Sequence, residues 1–318
     1  MEVFLPIAPS DFCPALVSEL PRNQEQAPSQ MTSRVQTTLG AIDGVLHPDG
    51  SASFLGIRYA VPPLGERRFA PAERWTEPWT GVLNATRYGA PCHQTAGSWD
   101  EDPSEHPNPS APRPSEDCLS LNMYVPPPNS DAEPAVGSVE ERGPRLPMLV
   151  WIHGGGLCGG SGSSAWTHGD KLARHGRVIV ATLNYRLGPL GFLAHPELRR
   201  AYGGTGGMNG MHDQIVALQW LKQHAAAFGG DANAITVMGE SSGGVSVCIL
   251  NASPRARGLF RRAIVQSGPC VVPSQGWGPA TLEAGLARGV SLAHTLGAPT
   301  LAELRSLPPQ QLQWDNAT

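Results

Sequence analysis

The chain has 318 residues, of which 40% are hydrophobic and 16% charged, the balance of a globular protein with a large core. Its 23 Lys and Arg against 27 Asp and Glu leave a formal net charge of −4. That charge excludes the basic footprint of a nucleic-acid or anionic-membrane binder, and no apolar run approaches the ~18 residues of a membrane span.

The first stretch, MEVFLPIAPSDFCPALVSEL, opens with an acid and interrupts its apolar residues with prolines. It lacks the basic start and continuous apolar run of a secretory signal. Residues 1–33 read as a disordered or mis-assigned extension, with Met31 an alternative start, and 34–318 as the structured part. From Val35 on, TTLGAIDGVL and ASFLGIRYA alternate apolar residues with turn glycines, the pattern of short antiparallel strands. Residues 98–116 are acidic and proline-rich and belong to a surface loop, and a second polar stretch covers 126–145. PMLVWIH (147–153), RVIVATLNY (177–185), AITVMG (234–239) and RRAIVQS (261–267) are apolar runs of strand length. DQIVALQWLKQHAAAF (213–228) repeats apolar residues at near-helical spacing and stops at Gly229-Gly230; 242–252 and 280–296 also read as helices. Apolar strands alternating with helices predict an α/β fold: a mostly parallel sheet, helices on both faces, and an antiparallel N-terminal edge. No internal repeat is present. The six cysteines contain no C-x-x-C pair and so no zinc pattern, and no metal or cofactor is expected. Cys92 and Cys118 bracket a loop, while Cys13, Cys158, Cys248 and Cys270 read as small buried hydrophobes.

Gly239-Glu240-Ser241-Ser242-Gly243 fits G-x-S-x-G, in which a strand turns sharply into a helix with a serine at the apex. The strand before it and the helix after it are the context this motif requires. Ser241 takes the apex, and Ser242, first in the helix, contributes its backbone N–H. Acyl transfer also needs donors for the oxyanion, each contributing about 3–4 kcal/mol where measured. His153-Gly154-Gly155-Gly156 follows the strand MLVWI, so the N–H groups of Gly155 and Gly156 join that of Ser242. His153 is read as packing and hydrogen-bonding that loop rather than as a base.

From about Val35 onward the chain resembles the type B carboxylesterase/cholinesterase family of α/β-hydrolases. The resemblance is carried by GIRYAVPPLGERRFAPAERWTEPWTG, SEDCLSLNMYVP, NYRLGPLGFL, ALQWLKQHAAAFGGDANAITVMGESSGG and GLFRRAIVQSG, in that order. It implies a serine esterase with Ser241 as nucleophile, Gly155, Gly156 and Ser242 as the oxyanion hole, and Glu240 as a buried acid beside the nucleophile. It also implies a Cys92–Cys118 disulfide, and with it an oxidising, secretory or extracellular setting. Asn84-Ala85-Thr86 and Asn251-Ala252-Ser253 fit N-x-[ST]. The expected partner is a small carboxylic ester, with no nucleic acid and no membrane span, and the oligomeric state is left open.

The chain departs from the family in three places. Ser242 stands where the family usually has alanine, and GGMNGMHDQ shifts its asparagine. Trp99 is the only tryptophan between Cys92 and Cys118, and it lies far from the second cysteine, so a cation–π choline site is not expected. A triad of this fold runs Ser, then acid, then His. After Ser241 the acids are Glu283, Glu303 and Asp315 and the histidine is His294. Glu283 and His294 share one helical segment, whereas the family's acid and base follow later strands. The expectation is therefore a partial domain, without the triad acid, the histidine and the last strands. Its open apolar sheet edge and inactive nucleophile would leave the chain alone insoluble or inactive. The alternative from another class is a non-catalytic adhesion or interaction member of the fold, of the neuroligin type; a lipase reading finds no amphipathic lid.

Overall fold

The computed structural model describes residues 31–94, 112–128, 145–204, 206–271 and 281–314. Residues 1–30 of the expected extension, Cys13, Trp99, Asp315 and most of the two polar stretches lie outside them. The structured part starts earlier than expected. β1 (Thr32–Thr37) takes in residues 32 and 33 and pairs antiparallel with β2 (Gly40–Leu46). Its burial alternates strictly, with Ser33, Val35 and Thr37 inward, so this edge is specified by period-two patterning.

β3 (Ala52–Arg58) pairs antiparallel with β2 and with β5 (Ser120–Val125), and β4 (Val82–Asn84) runs parallel to β2. β5 pairs antiparallel with β7 (Ile179–Leu183), which continues into β6 (Leu146–Ile152), β8 (Gly230–Glu240) and β9 (Arg262–Gln266), all parallel. The sheet order is β1-β2-β3-β5-β7-β6-β8-β9, with β4 off this path beside β2. The sheet is thus mixed, and its antiparallel part takes in β1, β2, β3 and β5. β5 and β7 are buried along their whole length, which explains why RVIVATLNY reads as a continuous apolar run.

Among the described residues, seven helices connect or cover these strands. α1 (Asp170–Gly176) links β6 to β7 and packs on β5 and β7. α2 (Gly188–Phe192), α3 (Pro196–Tyr202) and α4 (Asn209–His224) lead to β8, and α5 (Ser242–Ala252) leaves it. α4 and α5 both pack on β8, burying Ile215, Val216, Leu218, Trp220, Leu221 and Val247 against Ile235 and Val237. α6 (Leu282–Thr295) and α7 (Leu301–Ser306) form a second cluster, with Leu292, Leu301 and Leu304 against Leu190, Leu193 and Leu198. A Thr300–Glu303 capping box starts α7.

Among the described residues, two bidentate ion pairs that hold distant segments together are largely buried. Arg186, just past β7, meets Asp213 of α4 at 2.6 and 2.8 Å, both side chains buried. Arg68 meets Glu116 at 2.5 and 2.6 Å and also donates to the Arg305 and Leu307 carbonyls at the C-terminal end of α7. β9 is the open edge. All five of its residues are exposed, Ile264 and Val265 included, and among the described strands only β8 pairs with it.

Candidate active site

Ser241 is the single residue between β8 and α5, held at φ 52° and ψ −123°. A non-glycine residue at positive φ is strained, and such strain persists only where the surroundings enforce it. Here its N–H donates to the Gln266 carbonyl on β9 at 2.9 Å, and its carbonyl accepts from Val245 N at 3.0 Å. Both sides of the turn are thereby fixed. The glycine at 243 has a steric cause: a Cβ there would run into the Ile152 carbonyl oxygen and approach that of His153 to 2.7 Å. α5 can start directly over the end of β6 only without a side chain at that position.

The loop after β6 lies against this turn. A Cβ at Gly154 would come within 3.2 Å of the Ser241 Cβ, so the His153–Gly156 loop and the serine share one surface. Gly155 (φ 99°) and Gly156 (φ 65°) adopt left-handed conformations and are exposed. Among the described residues neither N–H has an acceptor. The Gly155 carbonyl instead takes the N–H groups of Cys158 and Gly159 at 3.0 and 2.9 Å, closing the turn behind it. Ser242 opens α5, so its N–H also lacks an intrahelical acceptor. The structure therefore places Gly155 and Gly156 in a loop that meets the Ser241–Ser242 turn on both sides of them, at Gly154 and at Leu157.

His153 is 4% exposed and stacks on Tyr185 at 4.3 Å, and the Tyr185 hydroxyl donates to the His153 carbonyl at 2.9 Å. This matches the packing role read from the sequence. Burial pushes the Tyr185 phenol well above its ordinary range, with a hydrogen bond to Ser242 opposing. Ser242 also has a side-chain part that the sequence reading missed. Its buried hydroxyl accepts from Leu157 N at 3.2 Å, tying the helix start to the loop.

Two expectations are corrected. Glu240, expected as a buried acid beside the nucleophile, is exposed. It is the last residue of β8, next to the exposed strand β9, and its carboxylate lies against Gly154 of the loop after β6, where a Cβ would come within 2.8 Å of Oε2. Cys248 and Cys270, read as separate buried hydrophobes, are bonded to each other, with Cα atoms 5.1 Å apart. Their pairing joins α5 to the segment after β9, and no spacing signal announces it. Cys92 and Cys118 are bonded as the resemblance implies, with both residues in the main core. Cys158 is free, and burial raises its thiol while Arg288 opposes the rise.

The structure does not bring Glu283 or His294 to Ser241. Both are exposed, at opposite ends of α6, and Glu303 is used in the α7 capping box. Asp315 lies outside the described residues. Among the described residues no cluster of His, Cys, Asp and Glu could hold a metal ion, and no helix is long and apolar enough to cross a membrane.

The profile of the Carboxylesterase family matches residues 31–314. Over 239 residues the chain is 42% identical to the para-nitrobenzyl esterase of Bacillus subtilis, covering 75% of this chain and 44% of that protein. Over 272 residues it is 40% identical to the acetylcholinesterase of Gallus gallus, covering 83% of this chain and 33% of that protein. A solved PNB esterase superposes with a TM-score of 0.70 at 37% identity, over 88% of this chain and 52% of that one. The chain thus has the α/β-hydrolase fold of these esterases, and it spans about half the length, or less, of the relatives it matches.

Proposed function

Because the chain belongs to the carboxylesterase family, we propose that it carries the nucleophile half of a serine carboxylesterase site. In this reading Ser241 attacks the carbonyl of a small carboxylic ester, and the N–H groups of Gly155, Gly156 and Ser242 hold the oxyanion. The resulting acyl-enzyme is then hydrolysed by water. The observation that carries the reading is the strained Ser241 at a strand–helix turn, with unoccupied N–H groups beside it on two separate segments.

A serine hydroxyl also needs a base for its proton and an acid to orient that base. No described residue supplies either at Ser241, and loss of the histidine in a comparable triad costs about a millionfold in kcat. The 318-residue chain is accordingly proposed to bind and orient an ester without turning it over. The test is p-nitrophenyl butyrate hydrolysis by this chain, with and without imidazole in solution as a substitute base. Imidazole alone is expected to produce a slow acceleration that Ser241→Ala removes. An equal imidazole-dependent rate in Ser241→Ala would refute the nucleophile. Turnover without imidazole that Ser241→Ala abolishes would refute the missing base.

A further inference from the structure

We propose that the Cys248–Cys270 pair is a reversible thiol–disulfide site, opened by a dithiol reductant, that controls the order of the Ser241 turn. The two disulfides among the described residues differ in one decisive respect. Cys92 and Cys118 are 3% and 1% exposed and sit within the main core, out of reach of a reductant. Cys270 is exposed and Cys248 only partly covered, on the open side of the sheet. Exposed disulfides are the labile ones, because exchange requires access to a sulfur.

The segment that this bond anchors is the outer wall of the serine turn. Gln266 accepts the Ser241 N–H. Ser267 is held at φ 49°, and a Cβ at Gly268 would come within 2.6 Å of the Ser241 carbonyl and 2.7 Å of Val245 N. Cys270, two residues on, is tied to Cys248 on α5 itself. Among the described strands β9 pairs only with β8 and has no buried residue, so the bond adds a covalent tether to the β8 ladder and to the packing of α5 on β9.

In the exchange, a thiolate of the reductant attacks the exposed Cys270 sulfur and forms a mixed disulfide, and Cys248 leaves as a thiolate that takes up a proton. The second thiol of the reductant, losing its proton, then releases Cys270 as a thiol and leaves the reductant as its own disulfide. Two electrons pass from the dithiol to the cysteine pair.

The proposal rests on the reading above only in naming Ser241 the nucleophile, since its test needs no turnover. Free thiols are first blocked with iodoacetamide; the chain is then treated with dithiothreitol under native conditions and labelled with N-ethylmaleimide for peptide mass spectrometry. Cys248 and Cys270 are expected to label at least about tenfold faster than Cys92 and Cys118. Amide hydrogen exchange of Ser241 and β9 is expected to quicken about tenfold or more on reduction, with β6 unchanged. The variant carrying both Cys248→Ser and Cys270→Ser is expected to match the reduced chain without reductant. Equal labelling of the two disulfides, or unchanged exchange at Ser241 and β9 in the reduced chain and the variant, would overturn it.

Discussion

Replacing Asp213 by alanine removes the carboxylate that neutralises Arg186, the most deeply buried cation among the described residues. Arg186 approaches it with three donors: its backbone N–H at 3.0 Å and Nε at 2.8 Å on one oxygen, and a terminal nitrogen at 2.6 Å on the other. The Asp213 and Arg186 side chains are 0% and 4% exposed, so water cannot take over from the lost partner. Among the described residues Arg186 would keep one acceptor, the Ala70 carbonyl at 2.8 Å, for a full charge in the core. Breaking one side of such a pair costs about 3–5 kcal/mol, a large part of the 5–15 kcal/mol typical of a folded chain. Arg34 and Asp43 provide the internal comparison. They are just as close, at 2.6 Å, but 61% and 21% exposed, so Asp43→Ala should cost below about 1 kcal/mol. Distance is equal in the two pairs, and burial decides the difference. Urea denaturation of both variants, followed by far-UV circular dichroism, measures it. The loss also reaches the candidate site, because two residues after Arg186 the Gly188 N–H holds the Leu157 carbonyl at 2.7 Å. The reasoning fails if Asp213→Ala costs no more than Asp43→Ala.

Two further perturbations probe the core and the turn. His224 is buried beside Trp220, and burial, followed by the charge of Arg74, lowers its pKa to about 4 from the ordinary 6.5. Its folded-state pKa is depressed, so protonation favours the unfolded chain. Stability is complete above pH ~6.5 and falls as pH drops toward 4, by up to roughly 2–3 kcal/mol. In His224→Gln that part of the acid dependence should vanish, so superimposable pH–stability curves for the two proteins would contradict the assignment. Ser241→Gly should relieve the strain at φ 52° and stabilise the chain by about 1 kcal/mol net of glycine's extra backbone entropy, relative to Ser241→Ala. Thermal melts compare the two variants, and a less stable glycine variant would show that the turn is unstrained.

What the sequence determined by itself is local. The G-x-S-x-G turn and the HGGG loop are legible because a glycine is required wherever backbones approach too closely for a Cβ, as at Gly243 over Ile152. β7 is legible because full burial writes itself as an apolar run, and β6, β8 and α5 because their partly buried faces still carry apolar residues at regular spacing. What only the tertiary structure decided lies between segments far apart in the chain. The Ser242 hydroxyl reaches Leu157 across 85 residues, and Arg186 reaches Asp213 across 27. Cys248 finds Cys270 because α5 and the segment after β9 lie side by side, and Glu240 is exposed because its neighbour β9 is the last of the described strands. Neither fact belongs to a residue or its sequence neighbours. Burial and pairing are properties of which strands stand next to one another, and a strand order of β7-β6-β8-β9 is fixed by the packing of the whole sheet.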